Sequence, residues 1–255
     1  MRETLKNKRV GEREGFRWRG GDVSRIEGFS DAVFAFALTL LVVSLEVPRS
    51  FEGLVRTMEG FPAFGVSFVF LMGIWYVHYT FFRRYGLEDA TTMVLNAVLM
   101  FVVLFYIYPL KFLFTLLINA LLLNGLLGFD VYVGIDFKGL DMPALMLIYG
   151  AAFFAIFSII VLLHFHALRQ REMLELNDLE VFETHDAIQA YGICVGAAVL
   201  SMVIALMGWG SDSPWYAMLS GMTYALIGPA QGVLGYFRAK KKKALKASLS
   251  EGVGF

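Results

Sequence analysis

The stretch from Arg25 to Glu46, RIEGFSDAVFAFALTLLVVSLE, most constrains what this chain can fold into. It opens on Arg25, Glu27, Ser30 and Asp31, then runs apolar from Ala32 to Val43, interrupted by Thr39 alone. As a helix rising about 1.5 Å per residue it reaches about 33 Å, enough to cross the hydrocarbon of a bilayer. Charges this close to hydrocarbon are costly and persist where they are paired or functional. The start of the stretch is therefore a candidate site, whatever the rest of the chain does.

Similar apolar runs recur along the 255 residues, of which 58% are hydrophobic, with a mean hydropathy of +0.63. Soluble domains hold about 45–50% apolar residues. The class expected is an all-α polytopic membrane protein with six transmembrane helices. The first ends near Glu46, where Val47-Pro48 breaks it. The second runs from Pro62 to Phe82 and the third from Thr91 to Leu110, with Tyr108-Pro109 as its end or kink. A fourth follows Asp141 and Pro143 and runs to Leu168, a fifth spans Ala187 to Trp209, and a sixth runs from Ser213-Pro214 to Phe237, interrupted at Gly228-Pro229.

Between these runs lie segments of other character. Arg49 to Glu59 and Asp130 to Asp141 read as loops. Phe112 to Phe129 is open between a continued third helix and a segment along the outer interface. The acidic stretch from Glu172 to Glu183 reads as a cytoplasmic helix. Residues 1–22 read as a mobile basic tail, residues 23–237 as the six-helix membrane domain, and residues 238–255 as a second basic tail. Within the last, KKKALKASLS suits a short basic amphipathic helix. The polar first 24 residues and the long run after them do not suit a cleavable signal peptide, so the first helix is expected to be retained.

Six crossings put both termini on one side. Of the 22 lysines and arginines, 18 then fall on the side of the termini and four, Arg49, Arg56, Lys111 and Lys138, on the other. That bias places both termini in the cytoplasm. Cys194, the single cysteine, lies in an apolar run and reads as a small buried residue.

Several polar residues fall inside the spans. Arg25 and Phe29 share a face of the first helix, as do Glu27 and Asp31. Ser30 and Asp31 also suit a helix cap. Phe36, Leu40 and Val43 form one stripe at i, i+4 and i+7, which serves either helix packing or a pore. Trp75 and His78 share a face of the second helix, and Asn96 adds a polar residue in the third. The topology places Arg25, His78 and Asn96 in the cytoplasmic half, where a network with Ser30 and Asp31 is expected. A secondary transporter relaying protons through Asp31, Glu27 and His78 is the alternative reading. His164, His166 and His185 raise a metal site or a membrane enzyme, but His-Phe-His sets the first two on opposite sides of a helix. No nucleotide-binding, zinc-protease or nucleophile-elbow motif is present. Neither a metal, a cofactor nor enzymatic activity is expected. The basic ends lack interleaved aromatics apart from Phe16 and Trp18, so no nucleic-acid partner is expected either.

Arg25-x-x-x-Phe29-Ser30-Asp31, followed at once by AVFAFALTLLVV, resembles the first-helix signature of the transmembrane protein 175 family. These are cation channels of bacteria, archaea and animal lysosomes. GIWYVHYTFF, from Gly73 to Phe82, is similar to that family's second helix, and Asn96 to Pro109 to its third. The resemblance covers residues 24–110; beyond them only the helix count agrees. It implies a potassium-permeable channel without the carbonyl filter Thr-Val-Gly-Tyr-Gly. A single six-helix unit implies the bacterial layout, a homotetramer in a prokaryotic plasma membrane passing potassium and other monovalent cations. The first helices would line the pore, with Phe36, Leu40 and Val43 facing it. Selectivity would then rest on partial dehydration and on groups such as Thr39. Phe36 departs from the isoleucine or leucine usual at the first constriction, and four phenylalanines would nearly fill a narrow pore.

Overall fold

The computed structural model describes residues 12–13, 16–43, 48–128, 141–211, 213 and 215–251. Among them lie strands β1 (Glu12–Arg13) and β2 (Phe16–Arg17) and helices α1 (Arg25–Val43), α2 (Phe51–Glu59), α3 (Phe61–Tyr85), α4 (Ala90–Phe114), α5 (Met142–Arg169), α6 (Asp178–Met207), α7 (Trp215–Met222) and α8 (Ile227–Glu251). Among the described residues, five helical stretches are long and apolar enough to cross a membrane: Arg25–Val43, Phe61–Tyr85, Ala90–Ile118, Met142–Arg169 and Asp178–Met207.

The chain divides into two compact units. One comprises Met1–Ser24, Thr80–Val98 and Met142–Phe255. Its centre is the pairing of α5 with α6, against which α7 and α8 also pack. Rings run through it in a chain: Phe81 and Tyr85 meet His164, His164 meets Tyr191, Tyr191 meets Phe157, and Phe157 meets Phe153. His164 is buried among them with Nδ1 2.8 Å from the Ile160 carbonyl. His166 turns the other way, its Nε2 2.9 Å from Asp89 Oδ2. The two-residue spacing thus separates these histidines, as helical geometry requires.

The end of the N-terminal segment has a fixed place in this unit, which the expectation of a mobile tail did not include. β1 and β2 pair antiparallel, Glu12 opposite Arg17 and Arg13 opposite Phe16. Phe16 is fully buried, edge-on to Tyr85 and under the Arg84 guanidinium at 4.9 Å. Gly20 donates its N–H to the Arg83 carbonyl at 3.1 Å, and a Cβ on Gly20 would come within 2.7 Å of the Phe82 carbonyl oxygen. Only glycine lets the backbone approach a helix terminus this closely.

The second unit comprises Arg25–Tyr79 and Leu99–Asp141. Its buried residues include Phe34, Ala37 and Leu41 of α1, Leu71 and Ile74 of α3, and Met100, Val103 and Ile107 of α4. Phe70 of α3 meets Phe114 of α4 at 5.9 Å between ring centres.

Four local features differ from the expectations. The loop from Arg49 to Glu59 contains α2, capped by Ser50, whose Oγ accepts the Gly53 N–H at 3.0 Å. Apolar residues at i, i+3, i+4 and i+7 explain why it is helical. Pro109 does not end α4; the helix passes through it and widens into a π-helical run, Thr115–Leu126. There the Thr115 hydroxyl donates to the Lys111 carbonyl at 2.9 Å, and Leu127 N–H closes the run on Leu122 at 3.0 Å. The acidic stretch after α5 begins as turns, and α6 starts at Asp178, well before Ala187. A capping box sets that start: the Asn177 side chain accepts the Glu180 N–H and the Glu180 carboxylate accepts the Asn177 N–H. Finally, the irregularity expected at Gly228-Pro229 falls just before it, in a 3-10 turn at Thr223–Leu226. Pro229 lies in the first turn of α8, where a missing N–H leaves no intrahelical bond unmade. The end of the first helix at Glu46 and the loop from Asp130, Asp141 excepted, lie outside the described residues.

Candidate functional site

The candidate site is α1, and its two faces are read from residue spacing. Glu27, Ser30, Phe34, Ala37 and Leu41 are buried, a strict alternation of three and four. Arg25, Phe29, Ala32, Phe36, Thr39 and Val43 are exposed and follow the same alternation on the opposite side. The helical period of 3.6 keeps both stripes straight over the helix.

α1 meets α3 through Asp31, exposed at the edge between its two faces, and through Phe34 on its buried face. The Trp75 indole Nε1 donates to Asp31 Oδ1 at 2.8 Å. The Phe34 ring lies 5.7 Å from the His78 ring, tilted at 59°. Trp75 itself stacks on Tyr79 at 5.5 Å, which fixes the indole in place. Ser30 Oγ donates to the Ile26 carbonyl at 2.8 Å, inside its own helix. Glu27 is buried in the first turn, where the positive end of the helix dipole favours a carboxylate.

On the open side Phe36 is 55% and Val43 69% exposed within the single chain, and Leu40 sits half-buried at the edge. The Thr39 hydroxyl donates to the Ala35 carbonyl at 2.9 Å, so its proton is used within the helix and its oxygen stays available on the exposed face. Arg25 and Phe29 are exposed at the start of the same face, and Asp31 is exposed beside it.

Of the residues expected to form one network, the structure thus joins Asp31 to Trp75 and places His78 against Phe34. Asn96 is buried in the other compact unit. Phe34, the ring against His78, was not among the candidate site residues, although its position two residues from Phe36 sets it on the opposite face.

A second polar centre had no sequence signal beyond a capping box. Glu180 is fully buried. It accepts Arg19 Nη2 at 2.7 Å, Arg19 Nη1 at 3.2 Å and the Arg17 backbone N–H at 2.8 Å. Arg19 Nε also donates to the Leu174 carbonyl at 2.7 Å. The partners lie more than 150 residues apart in the chain, so no local pattern announces them.

The sequence pattern of the family described as "Endosomal/lysosomal potassium channel TMEM175" matches residues 25–106. A potassium channel of Marivirga tractuosa is 38% identical over 240 residues, covering 92% of this chain and 96% of that protein. A potassium channel of Chamaesiphon minutus is 32% identical over 122 residues, 45% of this chain and 59% of its own length. Among solved structures, a variant of the potassium channel MtTMEM175 bound to a nanobody fusion superposes with a TM-score of 0.79. It is 37% identical and covers 91% of this chain and 100% of that one. A lysosomal potassium-selective channel TMEM175 homolog from Chamaesiphon minutus, 22% identical, shares the fold with a TM-score of 0.52 over 86% of this chain and 96% of its own. The family pattern begins at Arg25, where α1 begins, and the likeness to the Marivirga protein runs nearly end to end: this chain belongs to the TMEM175 family.

Proposed function

We propose that this protein is a potassium-permeable cation channel whose pore is lined by α1 from each of four copies. The observation that carries this reading is the pair of faces on α1. One face is packed into the protein through Phe34, Ala37 and Leu41, and the other is left open, uncharged beyond its first turns and rich in large apolar side chains. Arg25 and Asp31 at the start of that open side favour water over lipid. A face that starts charged and turns apolar fits a water-filled mouth narrowing to a hydrophobic constriction. The potassium channels to which the chain is similar support the same ion.

In this reading Phe36, Leu40 and Val43 form the constriction, and Thr39 offers its oxygen beside it. An apolar constriction closes by losing its water, and an ion that passes loses part of its hydration shell. α7, the 3-10 turn and α8 supply a sixth crossing after the five apolar spans. The arginine and lysine bias then puts both termini in the cytoplasm of a prokaryotic cell. Residues 23–237 make the channel domain, with the basic segments 1–22 and 238–255 at its cytoplasmic ends. No step of this function needs a cofactor or a catalytic residue.

Single-channel recording of purified protein in bilayers, with potassium on one side and sodium on the other, tests the proposal. Unitary currents with a reversal potential on the potassium side are expected. Flux without unitary currents, at transporter turnover, would refute it.

A further inference from the structure

None of the nine residues of α2 is buried, and its apolar side chains share one face. Phe51, Leu54, Val55 and Met58 fall at i, i+3, i+4 and i+7, and all four are exposed. Glu52, Arg56 and Glu59 occupy the other side, with Arg56 Nη2 2.6 Å from Glu52 Oε1. The polar side thus holds its own ion pair. So short a helix is marginal in water even with good caps, so its apolar face needs a cover.

What lies next to that face identifies the cover. Gly60 alone separates α2 from α3, and the Phe64 N–H already bonds the Gly60 carbonyl at 3.1 Å. α3 is one of the five apolar spans and opens on Phe61, also exposed, followed by exposed Phe68 and Val69. The open apolar face of α2 therefore continues into the open apolar surface of a membrane-crossing helix. We propose that α2 is an interfacial helix, lying on the bilayer surface away from the basic termini. Phe51, Leu54, Val55 and Met58 enter the boundary between headgroups and acyl chains, and Glu52, Arg56 and Glu59 stay in headgroup water. With one arginine against two glutamates, the attachment is apolar and needs no anionic lipid. This proposal requires residence in a membrane, not ion conduction, so it stands or falls separately from the channel reading.

The test places one fluorescent label on the full-length Cys194→Ala chain, at Leu54→Cys or at Arg56→Cys, in vesicles of zwitterionic phosphatidylcholine. Nitroxide attached to the acyl chain near the headgroup should quench the Leu54 label about twofold more than the Arg56 label. Aqueous iodide should do the reverse. Equal iodide quenching at the two positions would put the face in water and overturn the proposal. Shielding of the Leu54 label from both quenchers would put it against protein, a second copy of the chain included, and overturn it equally. Lipid quenching that arises only when anionic lipid is added would replace apolar attachment by charge attraction and also refute it. Should Leu54→Cys fail to fold, Met58→Cys reads the same face.

Discussion

Arg19 grips both oxygens of the Glu180 carboxylate, Nη2 on Oε2 at 2.7 Å and Nη1 on Oε1 at 3.2 Å. The Glu180 side chain is fully buried, and the Arg19 side chain is 16% exposed. A flat fork matching a flat carboxylate is the geometry that makes such a pair strong. Residues 16–21 precede α1 by a few positions in the chain, and this grip ties them to the first turn of α6.

Removing Arg19 should therefore cost more than removing Arg17, whose side chain is 48% exposed and reaches Glu180 at 3.4 Å. Breaking a buried ion pair from one side costs about 3 kcal/mol, because the partner charge is left without compensation. Arg19→Ala should lower the melting temperature in detergent clearly, Arg17→Ala only slightly. Glu180→Gln combined with Arg19→Ala should be no worse than Arg19→Ala alone. Full additivity of the two changes would show that the pair is not coupled.

Phe36→Ala and Phe34→Ala, two residues apart, should fail in different ways. Phe34 is 3% exposed and packs against His78, so its truncation leaves a cavity and costs about 3–5 kcal/mol. Phe36 faces away from the protein, so its loss should spare stability. At a pore, two effects of the ring compete: its bulk excludes water, while its face attracts a cation by about 0.5–2 kcal/mol. Four large rings around one axis leave little room, so bulk should dominate. Phe36→Ala should then raise conductance and weaken discrimination between potassium and sodium in bi-ionic recordings. A Phe36→Ala channel identical to its parent would remove the open face of α1 from the pore.

The Trp75 to Asp31 bond predicts a gating phenotype without a selectivity phenotype. Trp75→Phe keeps a smaller aromatic ring and deletes the donor, a loss of about 1 kcal/mol for the hydrogen bond to an exposed acceptor. Open probability should shift while the reversal potential stays in place. Arg25→Ala, at the charged start of α1, should lower open probability or tetramer yield with the same ion ratio. A moved reversal potential in either variant would place that residue in the selective region.

Asp89 makes one contribution to stability depend on pH. Burial pushes its pKa up, but the Thr92 hydroxyl at 2.6 Å, His166 and the Thr91 N–H outweigh burial and hold the carboxyl below the usual carboxylate range. A lowered folded value means that the ionised group stabilises the fold above the ordinary value and that this contribution fades as pH falls through the folded one. The side chain is 32% exposed, so solvent screening keeps the effect small, at most about 1 kcal/mol. Asp89→Asn should be slightly less stable than the parent at neutral pH, and the gap should close in acid. A gap that stays constant down to pH of about 3 would show that ionisation plays no part.

Much of this protein was legible in the residues because the signals are local. Apolar runs mark the spans, since unpaired backbone in lipid must become helix. The alternation of three and four in α1 separates Phe34 from Phe36 by helical geometry alone. Phe51, Leu54, Val55 and Met58 carried the same periodic signal for α2, although the charges among them read as a loop. Other features came only with tertiary structure. Nothing near Arg17 or Arg19 in the chain names Glu180 as their partner, and the bond exists because folding brings together segments more than 150 residues apart. The widening of the helix after Phe114 has the same origin. Thr115 to Leu126 has the composition of an α-helix, and a register of hydrogen bonds one residue longer is a choice that composition does not encode. Local sequence determines which segments become helix and which side chains share a face. Tertiary structure determined what each face meets, because that depends on residues far away in the chain.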